Sequence, residues 1–459
     1  RSGFAHNMEG HKGAQMHPSS STAPSFATGF RQIFYLVSPT ETTFETLEEV
    51  PNYVKQAMPF VVFLFLAETL VAWIQNRTTP RFSNVVASGG VALVTQIVRL
   101  LTVGVEMTAY IWLYRHLRLV DMSWDSPLTW WTAFFGVEYG YYWSHRMHHE
   151  VNILWAAHQV HHSSDDYNIL SSLRTSAFQR CSSFLFFLPL ALMVPPAAFL
   201  VHYQLNLLYQ AWLHTEVVGS LGPLEYILNT PTHHRVHHGR NHMGKNFGGT
   251  LIIWDRMFGT FHQESGPLVY GLRTAVNTWD PVWIQFHHFV CIWQTFWNTP
   301  GLWNKLRVLF AGPGRAVGKR QQGVPKVQPA SKYDSKVSMG WACYVLLHFL
   351  LALLTSRTIP KDLGVLATVG KLATIMWTLS CMAAILDCRS TAPLMELSRC
   401  VSVLGTGFLL WLSGALMTSQ PLLTVITLAC HAGSAVFWSV NLMTSPNVTL
   451  RGKTLKSTS

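Results

Sequence analysis

Six stretches of this sequence, 57–74, 88–111, 339–354, 364–386, 400–417 and 421–443, approach the ~20 apolar residues that carry a helix across a bilayer. Inside lipid no water meets backbone N–H and C=O groups, so such runs have to fold as helices that satisfy their own backbone. The second run is interrupted by Arg99 and Glu106. A further long run, 184–213, is broken by Pro195-Pro196 and turns mixed at His202, Gln204 and Asn206, which reads as a broken or re-entrant helix, or two short ones. Another, 128–143, is aromatic and short and leads straight into histidine-rich sequence. Charged residues make up 12% of the chain, against about a quarter in a soluble domain. The expected fold class is all-α: a polytopic integral membrane protein.

The formal net charge is +11, yet no face for nucleic acid is evident, because the cations lie mostly between apolar runs: Arg77 and Arg81, Arg115 and Arg118, then Lys305 through Lys336. Loops of this kind face the cytosol and meet anionic lipid. The same bias surrounds the histidines, at Arg146, Arg174, Arg180, Arg235, Arg240, Lys245 and Arg256, which places them on the cytosolic side. Seven cysteines show no C-x-x-C pair and read as small buried apolar residues, not as a disulfide framework or a thiolate metal site. Residues 1–30 lack the apolar core of a leader and are expected to be disordered. Residues 31–56 form an amphipathic lead-in, with a capped surface helix expected over 41–54. A membrane and histidine-bearing core follows at 57–310, then a basic Gly/Pro linker at 311–336, a C-terminal transmembrane block at 337–443, and a polar tail at 444–459.

Within that frame H-x-x-H-H occurs three times, at 145–149, 158–162 and 234–238, where composition alone predicts roughly 0.05 copies. On a helix, residues at i, i+3 and i+4 share a face, so each cluster can present two or three imidazoles to one point. His145 pairs with His149, while His158, His161, His162 and His234, His237, His238 form triplets. Neutral imidazole binds iron, zinc, copper and nickel, not calcium or magnesium. Eight or more such ligands exceed the need of one four-coordinate ion and suit two neighbouring metals. His149-Glu150 lacks the second histidine of a hydrolytic H-E-x-x-H site, and Glu-x-x-His pairs for a carboxylate-bridged di-iron bundle are missing. Iron fits if the work is oxygen activation, since it cycles its oxidation state and zinc does not. His214, where the broken run ends, is a further candidate ligand; the isolated histidines 6, 11, 17, 116, 262, 348 and 431, with His242, His287 and His288, are expected to lie outside the site.

These boxes resemble those of the membrane fatty-acid hydroxylase and sterol desaturase superfamily. The segments GYYWSHRMHHEVNILWAAHQVHHSSDDYN (140–168), LNLLYQAWLHTEVVGSLGPLEYILNTPTHHRVHHGRN (205–241) and LIIWDRMFGTF (251–261) are more specifically similar to the alkylglycerol (glyceryl-ether) monooxygenase family, and 38–54 and 285–301 extend the likeness outside the boxes. The resemblance puts metal ligands on His145, His149, His158, His161, His162, His234, His237 and His238. His148 stands where the family usually has a small residue, and NHMGKNFGG (241–249) lacks the acidic residue usual before Lys-Asn. His148, Glu150, Asp165 and Asp166 are left to orient the ligand histidines. The resemblance further implies two non-haem iron ions, O2 and tetrahydrobiopterin, an alkylglycerol or lyso-ether lipid substrate, and residence in the endoplasmic reticulum bilayer. Trp143, Trp155 and Trp212 are candidates to line a substrate. A sterol or fatty-acyl hydroxylase or desaturase fed by cytochrome b5 stands as the alternative enzyme, although no fused HPGG haem module is present. A metal transporter or sensor is the non-enzymatic alternative, and it predicts ligands spread through interrupted spans.

Overall fold

The computed structural model describes residues 25–102, 104–314, 332–357, 365–412, 420–444 and 450; most of the segment expected to be disordered (1–30) and of the expected linker (311–336) lies outside them. Among the described residues all regular structure is helical, with one isolated bridge between Leu228 and Leu251. The helices are α1 (Phe26–Ile33), α2 (Pro39–Thr42), α3 (Tyr53–Ile74), α4 (Phe82–Thr102), α5 (Val105–Leu117), α6 (Pro127–Glu150), α7 (Asn152–His158), α8 (Gln179–Ser183), α9 (Pro196–Trp212), α10 (Pro231–His238), α11 (Ile253–Met257), α12 (Pro281–Asn298), α13 (Leu302–Phe310), α14 (Met339–Arg357), α15 (Val365–Leu386), α16 (Ala392–Leu412) and α17 (Pro421–Thr444). Five of them, α3 and α14 to α17, are long and apolar enough to cross a membrane, and the protein is a multi-pass membrane protein. On α3 the side chains of Val62, Phe63, Leu66, Leu70 and Trp73 are exposed, an apolar surface suited to lipid.

Four expectations need correction. The run 88–111 is not one helix: α4 ends at Thr102 and α5 starts after Gly104, whose φ of 97° breaks the helical path. No helix covers 41–54. Pro39 and Pro51 bracket the segment, and the Thr42 and Thr43 hydroxyls bond back to the carbonyls of Ser38 and Pro39. Glu41 is engaged by Arg31 and the Ser38 amide, and Glu49 by the amides of Glu45 and Thr46. The Glu41 bond to the Ser38 amide is one arm of a capping box, but it caps only the single turn α2, and Thr43 turns extended, so the helix does not run on. Residues Phe26–Ile33, partly assigned to disorder, form α1. Of the seven cysteines only Cys381 and Cys400 are buried, while Cys181, Cys291 and Cys343 are exposed.

The centre of the histidine-bearing half is α9. One face packs Val201, Leu205 and Leu208 on Ile33 of α1 and on Tyr53, Ala57 and Phe60 of α3. The other packs Phe199 with Tyr110, Ala133, Val137 and Phe187. The broken run 184–195 lies tight on α6, since a Cβ at Gly140 would sit 2.9 Å from the Phe187 ring and one at Gly136 2.5 Å from Leu190. Two glycines four residues apart thus make the groove that admits it. The break itself follows from Pro195-Pro196, where α9 starts with Pro at its first position.

In the C-terminal block, α14, α16 and α17 enclose a polar cluster. Arg399 and Glu396 are both 0% exposed and pair at 2.7 Å. The guanidinium also donates to His431 at 2.7 Å and His348 at 3.3 Å, and Tyr344 donates to Glu396 at 2.6 Å. Each charge is therefore paired and hydrogen-bonded, the condition for tolerating it in an apolar interior. The block is tied to the other half where Asp387 accepts from the Thr278 hydroxyl and the Trp279 amide, just ahead of α12.

Candidate metal centre

The last turns of α6 carry His145 and His149, α7 ends on His158, and a turn past it bears His161 and His162. His214 follows α9, and α10, opened by Pro231, supplies His234, His237 and His238. The structure brings all nine together as two groups. Ligand nitrogens of His145, His149, His158, His162 and His237 lie within 4.8 Å of one another, and so do those of His161, His214, His234 and His238. The groups adjoin, with the His162 and His238 rings stacked 4.3 Å apart.

This partition corrects the idea that each box presents its histidines to one point. The i, i+4 pairs stay together (145/149, 158/162 and 234/238), but His161 joins the group of the third box and His237 the group of the first two. On α10, neighbouring residues diverge by about 100° around the axis, so His237 and His238 reach opposite groups. His161 lies beyond the end of α7, in the turn.

Between His161 and His214 the facing nitrogens have no proton to share. The Nδ1–H of His161 donates to the carbonyl of Arg174 and that of His214 to the carbonyl of Gln210, and a carbonyl can only accept. Both Nε2 atoms are then lone-pair acceptors, yet they stand 3.2 Å apart. His145 and His237 are held the same way, by the carbonyls of Phe247 and Lys245. The Nε2 atoms of His149 and His237 are buried and have no hydrogen-bond partner. Burial pushes the pKa of His161 down to about 4 and of His237 to about 3, and burial first, then neighbouring histidines, holds His158, His162, His234 and His238 well below the usual imidazole range. Neutral imidazoles with converging lone pairs are the state a metal binds. Two nitrogens about 2.1 Å from one ion lie roughly 3.0–3.4 Å apart at the angles of octahedral to tetrahedral coordination. The observed contacts of 3.1–3.2 Å, His145 to His158, His158 to His162, His214 to His234 and His234 to His238, match that spacing. The donor set fits two metal ions of the kind that bind imidazole.

The other proposed residues stand apart from these lone pairs. His148 directs Nδ1 to the Ser144 carbonyl and Nε2 to Ser182. Glu150 pairs with Arg146 at 2.9 Å on the exposed side of α6. Asp166 pairs with Arg81 and Lys332, and Asp165 accepts from the Tyr333 amide. None of these carboxylates orients a ligand ring; backbone carbonyls do that. Arg174 and Arg235 are buried structural cations, Arg174 on Ser88 and Ser163 and Arg235 on Glu264, not loop charges free to meet lipid. His242 packs against His262 with the rings tilted, His288 bonds Asn152, and His348 and His431 hold Arg399, all away from the centre. Trp155 packs 5.1 Å from the His149 ring.

Two carboxylates that spacing did not single out hold the loop that carries Phe247. Asp255 accepts from the amides of Phe247 and Gly248 and the Thr260 hydroxyl, each at 2.7 Å. Burial pushes its pKa up and these donors oppose that, and three donors with no facing acceptor suit the ionised form. Glu138, two turns before His145, accepts from Asn206 at 2.6 Å and from the amides of Thr250 and Leu251. Gly248 leaves no room for a side chain, since a Cβ there would lie 2.3 Å from the Leu251 carbonyl oxygen.

Comparison with known proteins agrees with this geometry. Residues 130–260 match the fatty acid hydroxylase family, and residues 341–428 match the alkylglycerol monooxygenase C-terminal domain. The chain is 43% identical to alkylglycerol monooxygenase of Homo sapiens over 438 residues, covering 93% of this chain and 98% of the relative. Identity to the Xenopus tropicalis protein of that name is 44% over 390 residues (82% and 87%), and to the Danio rerio protein 41% over 423 residues (90% and 94%). No solved structure matches the chain.

Proposed function

The chain belongs to the alkylglycerol monooxygenase family and is an oxygenase, and from that premise we propose that it hydroxylates the alkyl carbon next to the ether oxygen of alkylglycerol lipids. The hemiacetal so formed separates into a fatty aldehyde and a glycerol derivative. The observation that carries this reading is the pair of adjoining all-imidazole groups, in which buried rings turn their Nε2 atoms toward one another. His145, His149, His158, His162 and His237 would hold one iron, and His161, His214, His234 and His238 the other. When bound, the iron pair supplies oxygen activation, with tetrahydrobiopterin as the electron donor.

The chain's own part is to hold the rings neutral, fix their tautomers through the carbonyls of Phe247, Arg174, Gln210 and Lys245, and keep the site dry. The site sits beside spanning helices, so an alkyl tail reaches it from lipid while the glycerol stays near the interface. The basic residues around the histidines support a centre that faces the cytosol, and the family likeness supports residence in the endoplasmic reticulum membrane.

The test is fatty aldehyde release from a 1-O-alkylglycerol by membranes containing the chain, with tetrahydrobiopterin compared against NADH plus cytochrome b5 and His161→Ala as the blank. Aldehyde that depends on pterin and disappears in the variant supports the proposal. Silence from a folded, iron-loaded preparation overturns it in favour of the cytochrome b5-fed sterol or acyl oxidase.

A further inference from the structure

One membrane-spanning helix carries a buried carboxylate that nothing in the metal centre uses. Glu68 of α3 is 7% exposed, and its Oε2 accepts the Ile169 amide at 2.9 Å. It stands in the wall between two spaces of opposite character. On one side is an apolar cavity of about 500 Å³ between α3, α9 and the segment 215–228, lined by Leu64, Ala67, Val71 and Trp212 among others. That volume lies in the ~300–1,000 Å³ range of small-molecule sites. On the other side is a polar cleft with free space of about 30 Å³, bordered by Arg77, Glu216 and Lys332. About 10–15 Å³ of such space admits one water, so the cleft takes a hydroxyl or two and little more.

The walls of both spaces adjoin the metal centre near His214. Thr215, in the cavity wall, follows His214 directly, and Tyr167, in the cleft wall, lies 5.6 Å from the His214 ring and 5.2 Å from the His238 ring. At the far side the cavity is bordered by Leu36 and Leu224, 62% and 56% exposed, an apolar rim facing outward. Tail space, polar pocket and metal group are thus ordered as an amphiphile is.

Resting on the alkylglycerol reading, we propose that this cavity holds the alkyl chain of the substrate and that Glu68 accepts a hydroxyl of its glycerol, which sets the ether linkage beside Thr215 and the His161, His214, His234 and His238 group. A carboxylate is a good acceptor for an alcohol, and beyond the Ile169 amide and the Thr215 side chain it has lone pairs left for a further donor. The cavity measures chain length: every buried methylene contributes, and a wall residue that shortens the space removes several at once.

The experiment compares octyl- and octadecylglycerol in Ala67→Phe and Val71→Phe, which narrow the cavity from neighbouring turns of one α3 face, together with Glu68→Gln. Each variant is checked for thermal unfolding in detergent, and the parent is photolabelled with a 1-O-alkylglycerol bearing a diazirine in its chain. The expected result is a fall of at least about tenfold in the octadecyl-to-octyl ratio of kcat/KM for a folded narrowing variant. For Glu68→Gln the expectation is a KM raised about tenfold with kcat nearly kept, and label on 64–71 or 209–228. An unchanged ratio in both folded narrowing variants, or label elsewhere, overturns the inference while leaving the reaction intact. A parent that labels in this cavity yet yields no aldehyde overturns the reaction and leaves the binding site standing.

Discussion

Replacing Asp255 by Asn removes one charge and no volume, and the structure fixes what that costs. The amide oxygen of the new side chain settles where two donors converge, at the position of Oδ1 facing Phe247 N and the Thr260 hydroxyl, which leaves the NH2 against the Gly248 amide. Stranding that amide and losing its charge-assisted bond costs about 1.5–3 kcal/mol. The two surviving bonds lose their ionic share, about 1 kcal/mol each. The sum is about 3–5 kcal/mol in a buried loop. The same loop places the Phe247 carbonyl that holds His145 Nδ1 at 2.8 Å, so iron binding in the five-histidine group should weaken by roughly 10–100-fold, the range for loss of a ring-orienting partner. The assay is thermal unfolding in detergent by tryptophan fluorescence, with iron retained against a graded chelator measured on the same preparation. An Asp255→Asn protein with the parental unfolding midpoint and parental chelator resistance would refute the assignment of Asp255 as the support of this loop.

The crossing of the middle histidines predicts which pairs of substitutions share a metal. His162→Ala with His237→Ala, distant in sequence but in one group, should leave about one metal ion per chain, whereas His161→Ala with His162→Ala should leave almost none; metal analysis of purified protein decides between them. In the C-terminal block, Glu396→Gln leaves the Arg399 guanidinium buried without its carboxylate and should cost about 3–5 kcal/mol, while Arg399→Met together with Glu396→Leu should recover most of that in the same unfolding measurement.

The spanning helices were legible because an apolar run of the right length has only one backbone solution in lipid; α3, α14, α15 and α17 follow their windows closely, while α16 starts eight residues ahead of 400–417. Reading failed where the backbone left the pattern, at the extended Thr43 after one helical turn and at Gly104 with its positive φ. The nine histidines were legible from spacing, His214 only from its place at the end of a broken run. Their division was not, because i+3 and i+4 share a face only loosely, and a turn after α7 re-aims His161. The carboxylates were misassigned for a different reason. Glu150, Asp165 and Asp166 are near the boxes in sequence, but each is taken by a cation or an amide elsewhere. Glu138 and Asp255 bond backbone amides, which leave no trace in residue identity.

The exchange of His161 and His237 also bears on how the centre is assembled during synthesis. A nascent chain that has made only the first two boxes holds four of the five donors of one group and a single stray donor of the other. The third box completes both at once, by delivering His237 to one and His234 and His238 to the other. Neither group is complete early, and a chain stopped before residue 237 lacks a donor of each. Completion of the two groups is thereby a late and nearly joint event, and a fragment built around any single box should purify without either metal.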